Sequence, residues 1–133
     1  MSFDLKKQNP ADVAEAGYSF EVTTPAGEKT GIKISVRGEH SPAVRNHGRK
    51  VYQEMKMKEQ QAKRKGREYE LDLDEAEEMS VEAAVIRTLG WSGVVEDGKE
   101  VKFSKDEAKR VYTEYSWIRE QVLEQSNNIF NFQ

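Results

Sequence analysis

The residue types that could do chemistry are few. His40 and His47 come first, because imidazole is the commonest metal ligand and titrates near neutral pH. Their spacing of seven can set them on one helix face. No third ligand of metal-binding spacing accompanies them, whereas a structural zinc site takes four N or S ligands and a catalytic one three. The run from Glu68 to Glu82 contains Asp72-Leu-Asp74-Glu75, which has the carboxylates of a cation loop. It lacks the glycine and closing glutamate of an EF-hand. A helix N-terminus explains those carboxylates better, since negative charge is favoured there. Gly27-Glu-Lys-Thr-Gly31 has the letters of a phosphate loop in the wrong order. Serine and tyrosine hydroxyls are available as nucleophiles, but none stands in an elbow motif with a partner base. The expectation is therefore a non-enzymatic protein with no catalytic residues, no metal and no cofactor.

Charge and aromatic residues are laid out less evenly. From Arg45 to Arg67 nine Lys or Arg face two Glu, a net of +7, while Glu68 to Glu82 holds eight Asp or Glu and no Lys or Arg. Arg45, Arg49, Lys50, Lys63, Arg64 and Lys65 are the candidate phosphate contacts if the basic block meets nucleic acid. The competing expectation, which we favour, is that the two blocks lie close together and neutralise each other, leaving solvated faces. Most aromatic residues fall in the last third of the chain. Trp117 sits at the edge of an apolar stripe, and Phe130 and Phe132 stand in a polar tail. These three are the candidate partner-binding residues, because aromatic side chains dominate binding hot spots.

The elements that must position these groups follow from periodicity. Tyr18, Phe20 and Val22 alternate, as do Ile32, Ile34 and Val36, around a Pro25-to-Thr30 turn. This predicts a β-hairpin over 18–37 with one buried face. Residues 1–17 form a polar arm or short helix starting at Pro10 or Ala11. Ser41-Pro42 opens a helix with serine as N-cap, and Val44, Val51, Met55 and Ala62 form its stripe, with Tyr52 beside them. A second helix starts near Asp74, with Ser80 as the alternative start, Ala76, Met79, Ala83 and Ile86 buried and Gly90 as its end, so the helical region spans 42–90. Asp97-Gly98 predicts a small hairpin over 91–103. Ser104 and Glu107 form a capping box for a C-terminal helix over 104–126. Its stripe is Ala108, Val111, Tyr115, Ile118 and Val122, and a short tail follows. The fold class is α+β: one helix-rich domain over 18–133, an N-terminal β-hairpin packed on about three α-helices.

With 36% apolar and 34% charged residues among 133, the core is thin and the surface heavily solvated. A charged share of about 25% is usual. Cysteine is absent, which removes disulfides and thiolate chemistry. No apolar run resembles a signal peptide or a membrane span, so the expected place is the cytoplasm. No oligomeric state is fixed by these residues.

The C-terminal half carries an ordered set: Leu89-Gly90-Trp91-Ser-Gly93, Asp97-Gly98, Val101-Lys-Phe103-Ser104, Tyr112, Trp117-Ile118-Arg119-Glu120-Gln121-Val122 and a closing Asn131-Phe132. This set resembles the small tail assembly chaperones of long-tailed phages and prophages. So does Gly31-Ile-Lys-Ile-Ser-Val36 followed by Ser41-Pro42 and a basic helix. The resemblance covers roughly residues 18–133. The family often has a basic residue before the closing Asn-Phe, where Ile129 and Phe130 stand here. The resemblance implies a protein that binds and shields the tape measure protein in the host cytoplasm until the tail tube protein polymerises around it, and that is not part of the finished virion. The tail tube protein is the second partner implied. A nucleic-acid accessory protein using the 45–67 helix and a structural tail completion or connector subunit are the alternatives.

Overall fold

The computed structural model describes Leu5 and residues 9–133. Its elements are α1 (Pro10–Ala16), β1 (Tyr18–Thr23), β2 (Lys29–Val36), α2 (Pro42–Arg64), α3 (Leu73–Arg87), β3 (Thr88–Ser92), β4 (Val95–Glu96), β5 (Lys99–Glu100), α4 (Lys105–Glu114) and α5 (Ser116–Asn127). A 3-10 turn at Ile129–Phe132 closes the chain. Of the arm expected over 1–17, residues 1–4 and 6–8 lie outside the described residues. The remainder contains α1, capped by the Asn9 side chain, which accepts from Ala11 N at 3.0 Å.

The α+β class holds, and the hairpin forms where alternation places it. β1 and β2 pair antiparallel with Phe20 opposite Ile34. Phe20, Val22, Ile34 and Val36 are buried on one face. They meet Val81 and Ala84 of α3, Ala108, Val111 and Tyr112 of α4, and Ile118 and Val122 of α5 in a single core. The sheet is thus covered by helices on one side. On the other, Ser19 and Ser35 share a 2.6 Å hydrogen bond across the strands.

Three boundaries differ from expectation. The second helix stops at Arg87 rather than Gly90, and Thr88–Ser92 becomes a third strand, antiparallel to β2 with Ile34 opposite Trp91. That register puts Trp91 over the core, edge-on to Phe103 at 5.2 Å and to Tyr112 at 6.1 Å between ring centroids. The N-cap of α3 is Asp72, whose carboxylate accepts from Glu75 N at 2.7 Å, two residues ahead of the expected Asp74. Its most buried apolar positions are Val81 and Ala84, with the expected Ala76, Met79, Ala83 and Ile86 only half-buried. α3 has neighbours on several sides, α2 on one and α4 and α5 on another, so its apolar residues do not collect into one stripe.

The expected C-terminal helix is two helices. Tyr115, at φ −116° and ψ 75°, breaks the run between α4 and α5. In that geometry its hydroxyl donates to Glu96 Oε2 at 2.8 Å. Ser104 does cap α4, accepting from Glu107 N at 3.0 Å. The reciprocal half of the capping box is missing, because Glu107 is bonded to Arg110 at 2.7 Å. At the β4–β5 turn both Asp97 (φ 52°) and Gly98 (φ 75°) are left-handed, the type I′ geometry that joins twisted strands most tightly.

Candidate protein-binding surface

α2 is the element least accounted for by the fold. Pro42 stands in its first turn, where a missing N–H is no loss. Ser41 occupies the N-cap position, but its hydroxyl makes no cap bond and donates to the Glu15 carboxylate of α1. The helix then runs for 23 residues, about 34 Å at 1.5 Å per residue, and only Val44 is buried. Its stripe of Val51, Met55 and Ala62 is half-buried on the side of α3. Tyr52 and Met57 are 62% and 60% exposed. Where the chain turns back into α3, Leu71 is exposed and Leu73 is 89% exposed. α2 and α3 form a helical hairpin whose outer end carries large apolar side chains in water.

The charged blocks do lie together in that hairpin, but they neutralise each other little. Lys58 Nζ reaches Glu75 at 3.8 Å, the one ion pair between the two blocks among the described residues. Lys58 also lies over the Tyr69 ring, whose hydroxyl donates to Glu75 at 2.6 Å. That bond, to a carboxylate, raises the Tyr69 pKa. Glu77 pairs elsewhere, with Arg119 of α5 at 3.5 Å.

The sequence-predicted residues fall into separate places. At about 100° per residue, Arg45, Arg49 and Lys63 share one side of α2, whereas Lys50 and Arg64 turn away and Lys65 caps the C-terminal end. Lys56 joins the first group, stacked over the Tyr52 ring at 5.5 Å. Sequence reasoning passed it over because a charge count does not resolve faces. Between Arg45 and Arg49 lies Gly48, in a notch of about 370 Å³ also bordered by Tyr52 and Gln53. Arg49 Nη1 donates to Asn46 at 3.1 Å, and neither arginine meets a carboxylate among the described residues.

Trp117 and the tail aromatics are not brought together. Trp117 lies at the start of α5, half-buried beside Ile32, Val94 and Tyr115 at a cavity of about 230 Å³. Phe132 lies past the other end of that helix, packed edge-on against Tyr18 at 6.2 Å. A Cβ on Gly38 would meet the Phe132 ring and the Ala14 methyl at 3.0 Å each, so this tail ring is seated in the body. Phe130 is 73% exposed. Among the described residues no group of three His, Cys, Asp or Glu is placed to hold a metal, and no helix is long and apolar enough to cross a membrane.

Residues 44–133, 90 of the 133, match the YdaY prophage protein family, and the chain belongs to that family. It is thus a phage or prophage protein. The matched span begins inside α2 and runs through α5 and the closing 3-10 turn, leaving α1 and the β1–β2 hairpin outside it. No curated protein and no solved structure matches the chain.

Proposed function

We propose that this prophage protein is a non-enzymatic tail assembly chaperone that binds and shields the tape measure protein in the host cytoplasm during tail morphogenesis. The observation that carries the reading is the α2–α3 hairpin: α2, a 23-residue amphipathic helix, buries one residue and leaves Tyr52 and Met57 in water, and Leu71 and Leu73 are exposed where the chain enters α3. Apolar side chains exposed along a charged helical hairpin are how a soluble protein covers a sticky amphipathic helix. The ordered resemblance over residues 18–133 and membership of a prophage family support the same reading. The rim of Lys and Arg keeps the free protein from associating through that surface. Release follows when the tail tube protein takes over the tape measure helices, so the chaperone does not enter the virion.

The test is co-expression with the tape measure protein of the same prophage, followed by pull-down at low and high salt and a solubility assay. Soluble tape measure protein retained in high salt is the expected result. An insoluble tape measure protein with nothing retained would refute the reading.

A further inference from the structure

We infer that the Gly48 notch on α2 is the crossing point for a partner helix whose own surface is acidic, with Arg45 and Arg49 taking its carboxylates and Tyr52 packing on its backbone. The inference rests on the chaperone reading for the partner's identity, but not for its chemistry.

Gly48 is the first observation. Glycine is the poorest helix former after proline, and here it stands seven residues into a helix. Nothing among the described residues explains it: a Cβ built on Gly48 meets no atom of theirs within 4 Å. A glycine that relieves no internal crowding leaves room for a backbone arriving from outside.

Charge is the second. Arg45 and Arg49 flank the notch one helical turn apart, and Lys56 and Lys63 continue the same side. Guanidinium groups present a planar fork that matches a carboxylate bidentately. None of Arg45, Arg49 and Lys63 has a carboxylate partner among the described residues, and Lys56 only touches Glu59 at 3.9 Å. Tyr52, between them, supplies an exposed aromatic anchor of the type that dominates interfaces.

The surroundings narrow the occupant. The acidic side chains from Glu68 to Glu82 stand on the neighbouring loop and helix. They repel a long polyanion such as a nucleic acid, while a helix with a few local carboxylates fits the four cations. A second copy of α2 would set these same cations against each other. What remains is a helix with an apolar stripe flanked by Asp or Glu.

The experiment uses the full chain and two labelled synthetic peptides of α2's length. They share one leucine stripe and carry either glutamate or lysine flanks. Fluorescence anisotropy measures each, along with a DNA duplex of similar length. We expect the glutamate peptide to bind and the lysine peptide not to. Gly48→Leu, which fills the notch with a better helix former, should weaken glutamate-peptide binding by about tenfold while thermal unfolding stays put or rises. Arg45→Glu with Arg49→Glu should abolish it. Equal binding of the lysine peptide, tighter binding of the duplex, or unchanged affinity in Gly48→Leu would each overturn the inference. So would a dimer in sedimentation that Gly48→Leu dissociates, since the occupant would then be a second copy. If the tape measure protein is solubilised but the peptides show no charge preference, the chaperone reading stands and the notch fails. If the glutamate peptide binds but the tape measure protein is not retained, the notch stands and the partner is another protein.

Discussion

Replacing Gly48 by alanine should stabilise the protein, and the size of the gain can be worked out beforehand. In a helix interior glycine is less favourable than alanine by about 1 kcal/mol. The added Cβ meets nothing within 4 Å, so no clash subtracts from that gain. For 133 residues the unfolding entropy is on the order of 280 cal/mol/K, which converts 1 kcal/mol into a rise of about 4 °C in Tm. α2 is held to the body through Val44 and a half-buried stripe, so it should open locally before the protein unfolds globally. Part of the gain should therefore appear as slower amide exchange across Arg49 to Met55. Urea unfolding, with an unchanged slope and a raised midpoint, and native-state hydrogen exchange together measure it. If both the midpoint and α2 exchange are unmoved, α2 is not helical in the free protein. If the midpoint falls, Gly48 has an internal packing role. Either result removes the ground for treating this glycine as a residue kept for a partner.

The helices and sheet offer further checks. Gln121 reaches from α5 to the edge of β1, where its amide accepts from Thr23 N at 2.9 Å and donates to Thr23 O at 2.8 Å. Gln121→Met keeps the shape and removes these two bonds together with those to Thr23 Oγ1 and Trp117 O, which should cost about 2 kcal/mol or more in urea unfolding; no loss would mean that water replaces the amide. Tyr112, fully buried, shares a 2.7 Å bond with Thr88, which also donates to Ala84 O at 2.8 Å. Tyr112→Phe leaves Thr88 with that second bond, so it should cost only about 1 kcal/mol, and a larger loss would point to rearranged packing. Two carboxyls are held below their ordinary value of 4.5: Glu15 by the Ser41 hydroxyl and then Arg37, and Glu96 by the Tyr115 hydroxyl and then Arg110. Both stabilise the fold above that ordinary value, and the stabilisation is lost as the pH falls through their lower folded values. The urea midpoint should be flat with respect to these groups near neutrality and drop below about pH 4.5, with a shallower drop in Glu96→Gln. An unchanged acid slope in that variant would remove Glu96 from the account.

Much of the body was legible because its signals are local. Alternation over Tyr18–Val22 and Ile32–Val36 needs only neighbouring residues, and so do Ser104 with Glu107 and Asp97 with Gly98. β3 was not legible for the opposite reason. Thr88–Ser92 is five residues long, and its pairing partner, β2, precedes it by more than fifty positions. Thr88 also continues the helix chemically, donating to Ala84 O at 2.8 Å, so Gly90 looked like the natural stop. The break at Tyr115 has no proline or glycine behind it. It is tied to the tertiary contact with Glu96, which no window on α4 and α5 contains.

The binding surface divides in the same way. The charge blocks were visible as counts, and the αα-hairpin does set them side by side. That, among the described residues, they pair only through Lys58 and Glu75 depends on which side of α2 each cation takes. The cations nearest Tyr52 stand away from α3, where the half-buried Val51 and Met55 point. A helix that spends its apolar stripe on α3 cannot also turn Arg45 and Arg49 toward the acidic block, because the two sides are about 100° or more apart. The mutual neutralisation expected from composition is therefore ruled out by geometry for those residues, and their charge is left facing outward. The same geometry joins an exposed tyrosine, a glycine and two guanidinium groups that meet no carboxylate among the described residues in one notch, although the three residue types carry no common signal in the sequence.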